Sequence, residues 1–104
     1  MASARLEILR SMVERNPRDS FARYGLAMEH RNTGDLEAAV REFRSLVDAD
    51  PGYTATYYQL GQALERLGRP EEARQSYRMG IAATSRPGDE HARGELQAAL
   101  DLLG

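Results

Sequence analysis

Apolar residues recur along this chain at intervals of three and four, the spacing that gathers them on one face of an α-helix. Five clusters of turn residues interrupt the pattern, so it predicts six helices. Residues 3–15 place Leu6, Leu9, Met12 and Val13 on one stripe, with Ser3 as the N-cap. Asn16-Pro17 ends that helix, because the residue before a proline is pushed out of the α region. A second helix, from about Asp19 to Thr33, carries Phe21, Tyr24, Leu26, Ala27 and Met28. In the turn after it Gly34 is free to take positive φ, and Asp35 suits the cap of the next helix. The third helix, Leu36 to Ala49, shows Leu36, Ala39, Val40, Phe43, Leu46 and Val47 on one side before Asp50-Pro51-Gly52 breaks it. A fourth spans about Tyr53–Leu67 and closes at Gly68-Arg69-Pro70. Pro70 fits the first position of the fifth helix, where a missing N–H costs nothing, and that helix runs to about Thr84. Glu71 and Glu72 in its first turn complement the helix dipole. After Ser85-Arg86-Pro87-Gly88, Asp89 is placed to cap a sixth helix through Leu103, striped by Leu96, Ala99, Leu100 and Leu103.

The helices repeat. Leu26 returns as Leu60, Ala27 as Gly61, Gly34 as Gly68, Ala39 as Ala73 and Phe43 as Tyr77, each 34 residues on. Pro17 and Pro51 keep the same spacing, so the first helix is in phase as the second member of a pair whose first member is missing. A fixed period in large, small and turn residues marks a stack of antiparallel helix pairs, none of which can bury its apolar face alone. Small residues (Ala27 and Gly61, Ala39 and Ala73) belong where helices cross closely, and large ones fill the space beside them. The expected organisation is a single all-α domain over 1–104: an N-terminal helix in 1–17, repeats at 20–53 and 54–87, and a C-terminal capping helix in 88–104. The loop before the last helix is about two residues longer than strict repetition allows.

Composition narrows the function. At 104 residues the chain holds one modest core, and its balance of 41% hydrophobic and 29% charged residues is that of a folded, soluble protein. A net charge of −2 argues against nucleic acid, which needs a clustered basic surface. All fourteen basic residues are Arg, which we read as coding bias. Cysteine is absent, so disulfides and thiolate metal sites are excluded. No apolar run approaches the roughly 20 residues that span a bilayer, and no signal-like h-region opens the chain, so the expected address is cytoplasmic, with no membrane partner. His30 and His91 stand 61 residues apart without metal-ligand spacing. His30 is expected near the core and His91 on the exposed first turn of the last helix. Glu71-Glu72 and Asp89-Glu90 fall at helix starts, where dipole complementarity accounts for them without acid–base chemistry. The glycines sit at turns and crossings, not in a phosphate-cradling loop. No catalytic set, metal or cofactor is expected.

The string Tyr57-x-x-Leu60-Gly61-x-Ala63-Leu64, followed by Gly68, Ala73 and Tyr77, resembles the tetratricopeptide repeat (TPR) family, whose pattern is W-x2-L-G-x2-Y with later fixed Ala, aromatic and Pro positions. The first unit departs from it with Arg23 in the Trp place, Ala27 for Gly and His30 for Tyr, and Gly80 stands where the family prefers Ala. The resemblance implies a right-handed superhelix whose first helices line a concave groove for a peptide or partner helix. By register that groove takes Phe21, Tyr24, Met28, Arg31 and Asn32 from the first unit, and Ala55, Tyr58, Gln62, Glu65 and Arg66 from the second. Arg93 and Gln97 would follow from the last helix, in a register that the longer loop leaves open. The plainer alternative is that Phe21, Tyr24 and Met28 pack against the first helix; the Tyr53/Tyr57/Tyr58 group is read as core and groove wall rather than as a base-stacking platform, given the acidic balance. One subfamily clamps a C-terminal carboxylate with Lys, Asn and Arg; here Tyr24 and Met28 hold the corresponding positions and Lys is absent, which disfavours that ligand. The expected function is a non-catalytic adaptor for another polypeptide. The second reading is self-association, as a homodimer or larger assembly, through the two end helices.

Overall fold

The computed structural model describes residues 3–104; Met1 and Ala2, within the predicted 1–17 segment, lie outside them. Six helices follow one another: α1 (Ala4–Arg15), α2 (Ser20–Asn32), α3 (Leu36–Ala49), α4 (Ala55–Arg66), α5 (Pro70–Ala83) and α6 (Glu90–Leu103). Among the described residues there is no strand, and no helix is long and apolar enough to cross a membrane. Each helix packs on the next, and α4 also touches α6. The body measures 37 × 31 × 19 Å, and the short axis is about two helix diameters, so the helices form two layers.

Local chemistry sets most helix ends where the sequence puts them. The Ser3 hydroxyl accepts from the Leu6 N–H at 2.9 Å, and Asp19 and Asp35 accept from Ala22 and Ala38 at 3.1 Å. Gly34 and Gly68 take φ of +89° and +74°. The residue after each donates back five positions, Asp35 to the His30 carbonyl and Arg69 to that of Leu64, both at 2.9 Å. The two turns therefore close with the same bond, 34 residues apart. Pro70 opens α5 as expected. Asp89 does not cap α6: its carboxylate turns back to accept from the Arg86 N–H at 3.1 Å, and Glu90 accepts from Gly88. The bulge of the longer loop has taken the side chain that a plain turn would have left for the helix.

The core holds the repeated residues in equivalent places. Leu26 and Leu60 are buried, Ala27, Ala39 and Ala73 fully so, and Phe43 and Tyr77 are the largest rings without exposure. The Tyr24–Phe43 and Tyr58–Tyr77 ring pairs, 6.0 and 6.3 Å apart between centroids, repeat the same contact. Gly61 is small because a Cβ there would stand 2.2 Å from the Tyr77 ring. Gly80, a departure from the family pattern, has its own cause: a Cβ would lie 2.6 Å from Tyr57 Cβ and 2.9 Å from Leu96 Cδ1. His30 is buried at the end of α2, and His91 is exposed on the first turn of α6. Glu29 is a buried charge that the pattern did not foretell; it accepts from the Ser3 hydroxyl at 3.0 Å and lies 3.9 Å from Arg5 Nη1, tying α1 to α2.

Three helical glycines then separate packing from propensity. Gly61→Ala and Gly80→Ala are expected to destabilise by about 1–3 kcal/mol through overpacking. Gly94→Ala, where nothing beyond the local helix backbone lies within 4 Å of the new Cβ, is expected to stabilise by about 0.5–1 kcal/mol. Urea melts of the three variants check both signs.

Candidate partner-binding face

The residues that the register assigns to the groove are divided by the structure among three settings. Phe21, Met28 and Asn32 line a hollow of about 670 Å³ between α1 and α2, with Ile8, Leu9 and Gly25. Phe21 stays 75% exposed there, so packing against α1 does not account for it. Tyr24 is half-buried and packs on Phe43 and Tyr53, the latter ring 5.6 Å away. Arg31 reaches across to α4, donating from Nη1 to Gln59 Oε1 at 2.7 Å and from Nη2 to Asn32 Oδ1 at 3.1 Å. Tyr58, Gln62 and Glu65 line a second hollow, of about 370 Å³, between α4 and α6. Ala55 and Arg66 are exposed at the two ends of α4 and line neither.

The second hollow is built from α5 outward. With no Cβ at Gly61, the Tyr77 ring passes against the α4 backbone. Its hydroxyl accepts from Gln62 Nε2 at 2.7 Å and donates to the Glu65 carboxylate. Both side chains that face the hollow are thus held by a ring buried beneath them. Burial first, and then the Glu65 carboxylate, pushes the Tyr77 hydroxyl well above its ordinary value of 10.0. Tyr24 is raised by burial and by Tyr53, and Tyr57 by burial and by Asp50.

The far wall differs from the expectation. Arg93 turns away to Thr84, donating from Nε to the hydroxyl at 3.2 Å and also binding its carbonyl, and Gln97 donates to Asp101 at 2.9 Å. The wall is formed by Glu95, Ala98, Ala99 and Leu102 instead, with Leu102 90% exposed. Buried Leu96 and Ala99 lie 36 residues after Leu60 and Ala63, so the core positions of α6 follow an offset of 36 rather than 34. Applied to Gln62 and Arg66, that offset gives Ala98 and Leu102. The longer loop was the available signal. A hollow between α3, α4 and α5 is smaller, about 240 Å³, and two of its residues, Arg44 and Glu72, are paired with each other at 2.6 Å.

Stacked antiparallel helix pairs with open hollows between them define an α-helical repeat protein. The chain belongs to the tetratricopeptide repeat family: that family's sequence pattern matches residues 2–54 and again 24–90. It is 31% identical over 98 residues to TPR repeat-containing protein PA0015 of Pseudomonas aeruginosa, covering 94% of this chain and 93% of the relative. The crystal structure of a tetratricopeptide repeat domain protein from Salinibacter ruber is 39% identical, with a TM-score of 0.76, and covers 82% of this chain and 94% of that one. PcrH, solved in complex with the chaperone binding region of PopD, shares the fold with a TM-score of 0.88 at 16% identity, over 94% of this chain and 74% of its own.

The raised tyrosines fix a sign for alkaline stability. A folded state that holds these protons above the unfolded value binds more protons than the unfolded chain once pH passes about 10, so stability is full below that pH and falls above it. Tyr77→Phe is expected to cost about 0.5–1.5 kcal/mol near neutrality through its lost hydrogen bonds. The same substitution should make the alkaline fall shallower. Urea melts between about pH 8 and about pH 11 measure both effects.

Proposed function

We propose that this chain is a non-catalytic interaction module that holds a peptide or a partner helix, chiefly in the hollow between α4 and α6. The observation that carries the reading is Leu102: an aliphatic side chain left 90% exposed opposite the Tyr58 ring, at the edge of a space of about 370 Å³. An aromatic and an aliphatic group flanked by oriented polar side chains is the make-up of a binding patch. The likeness to PcrH supports the fold's capacity for such a role, since that protein was solved with a segment of PopD. Among the residues chosen by register, Tyr58, Gln62 and Glu65 line this hollow, and Phe21 and Met28 line the separate hollow against α1, which we assign to a second stretch of the same occupant. Arg31 supports the site through its bond to Gln59 on α4, and Tyr24 through its packing on Phe43 and Tyr53, while Arg66, exposed at the end of α4, lines neither hollow.

Self-association by stacking of the end helices finds no support at the crossing positions. Arg5 of α1 stands where the repeats have Ala39 and Ala73, and Gln97 of α6 stands where they have Ala27 and Gly61. Both are long and polar where a close helix crossing needs a small residue.

Peptides selected from a random displayed library against the parent chain provide the test. Leu102→Arg and Tyr58→Ala are each expected to weaken the selected peptides by about tenfold or more, with helical circular dichroism retained. Undiminished binding by both variants would rule the hollow out.

A further inference from the structure

From the charges around the α4–α6 hollow we infer that its occupant carries Arg or Lys beside an aliphatic residue, a preference that rests on the groove reading above and makes it specific. The wall offers two carboxylates, Glu65 on α4 and Glu95 on α6, and none of its lining residues is basic. The Tyr58 ring and the side chains of Ala98 and Leu102 line the same space. Glu65 is held in place by the Tyr77 hydroxyl, with Gln62 Nε2 3.4 Å from the same oxygen, so its charge is presented without the entropy cost of a free side chain.

The neighbouring cations are engaged elsewhere or stand outside. Arg93 is bound to Thr84, Arg31 is bound to Gln59, and Arg66 does not line the space. His91 lies 3.7 Å from Glu95 and carries charge only when protonated. A guanidinium or ammonium group entering here meets opposite charge on both sides and an aromatic face that attracts cations. An aliphatic neighbour on the same occupant covers Leu102. An acidic segment meets like charge at both walls.

Three synthetic helical peptides of equal length test this, sharing the same leucines and differing only in whether the flanking polar positions are Arg, Gln or Glu. Their affinity for the full chain is read by fluorescence anisotropy at low and at moderate salt. The Arg peptide is expected to bind tightest, by about fivefold or more over the Glu peptide, with the margin shrinking as salt rises. Glu65→Gln with Glu95→Gln should weaken the Arg peptide by about three- to tenfold and leave the Gln peptide within about twofold. Glu95→Gln alone, at an exposed position, should give part of that loss without any question of folding. Leu102→Arg should weaken all three peptides. Equal binding of the Arg and Glu peptides, or a preference that survives the double substitution, overturns the charge inference. If that equal binding is still lost in Leu102→Arg, the groove reading stands without it. Failure of every peptide to bind overturns both.

Discussion

The passage of the Tyr77 ring against the backbone of α4, at the place where Gly61 has no side chain, is the contact on which the rest of this molecule turns. It sets how closely α4 and α5 approach, and so the depth of the second helix pair. It also delivers a buried hydroxyl to Gln62 and Glu65 from beneath, so the packing of the core and the posture of the open surface share one cause. The first pair solves the crossing differently. Ala27 and Phe43 replace Gly61 and Tyr77, and without a phenol there is no hydroxyl to position a side chain above.

Much of the architecture could be read directly because it is governed by local, short-range chemistry. The turns at Gly34 and Gly68 follow from backbone conformations that only glycine adopts cheaply, and the caps at Ser3 and Asp35 from one side-chain bond each. Even Gly80, which breaks the family pattern, obeys a packing rule once Tyr57 and Leu96 are seen against it. The cap assigned to Asp89 failed because the loop before it offered a competing donor, the Arg86 N–H, and a one-dimensional pattern does not rank such competitors.

The candidate face was legible only in part, for two physical reasons. A helix turns about 100° per residue, so a loop two residues longer reassigns every outward position of α6 while leaving its apolar stripe looking unchanged. Arg93 and Gln97 therefore do not line the α4–α6 hollow, whereas Ala98 and Leu102 do. The second reason lies with neighbours. Tyr24 and Tyr58 share a register position, but Tyr53 stands beside Tyr24, whereas position 87, one period after Tyr53, is a proline with no ring to offer. Tyr24 is therefore taken up by an aromatic cluster, while Tyr58 lines open space.

Arg5 and Gln97 also bear on how such an array could be lengthened by design. A synthetic repeat grafted in register onto α6 would bring a bulky ring against a glutamine in the place where Gly61 admits Tyr77, and one grafted onto α1 would meet a guanidinium at the Ala39 position. Elongation in either direction would begin with a reversion, Gln97→Gly or Arg5→Ala, before any new sequence was added. The same two side chains make convenient end stops for a builder who wants a unit of fixed size.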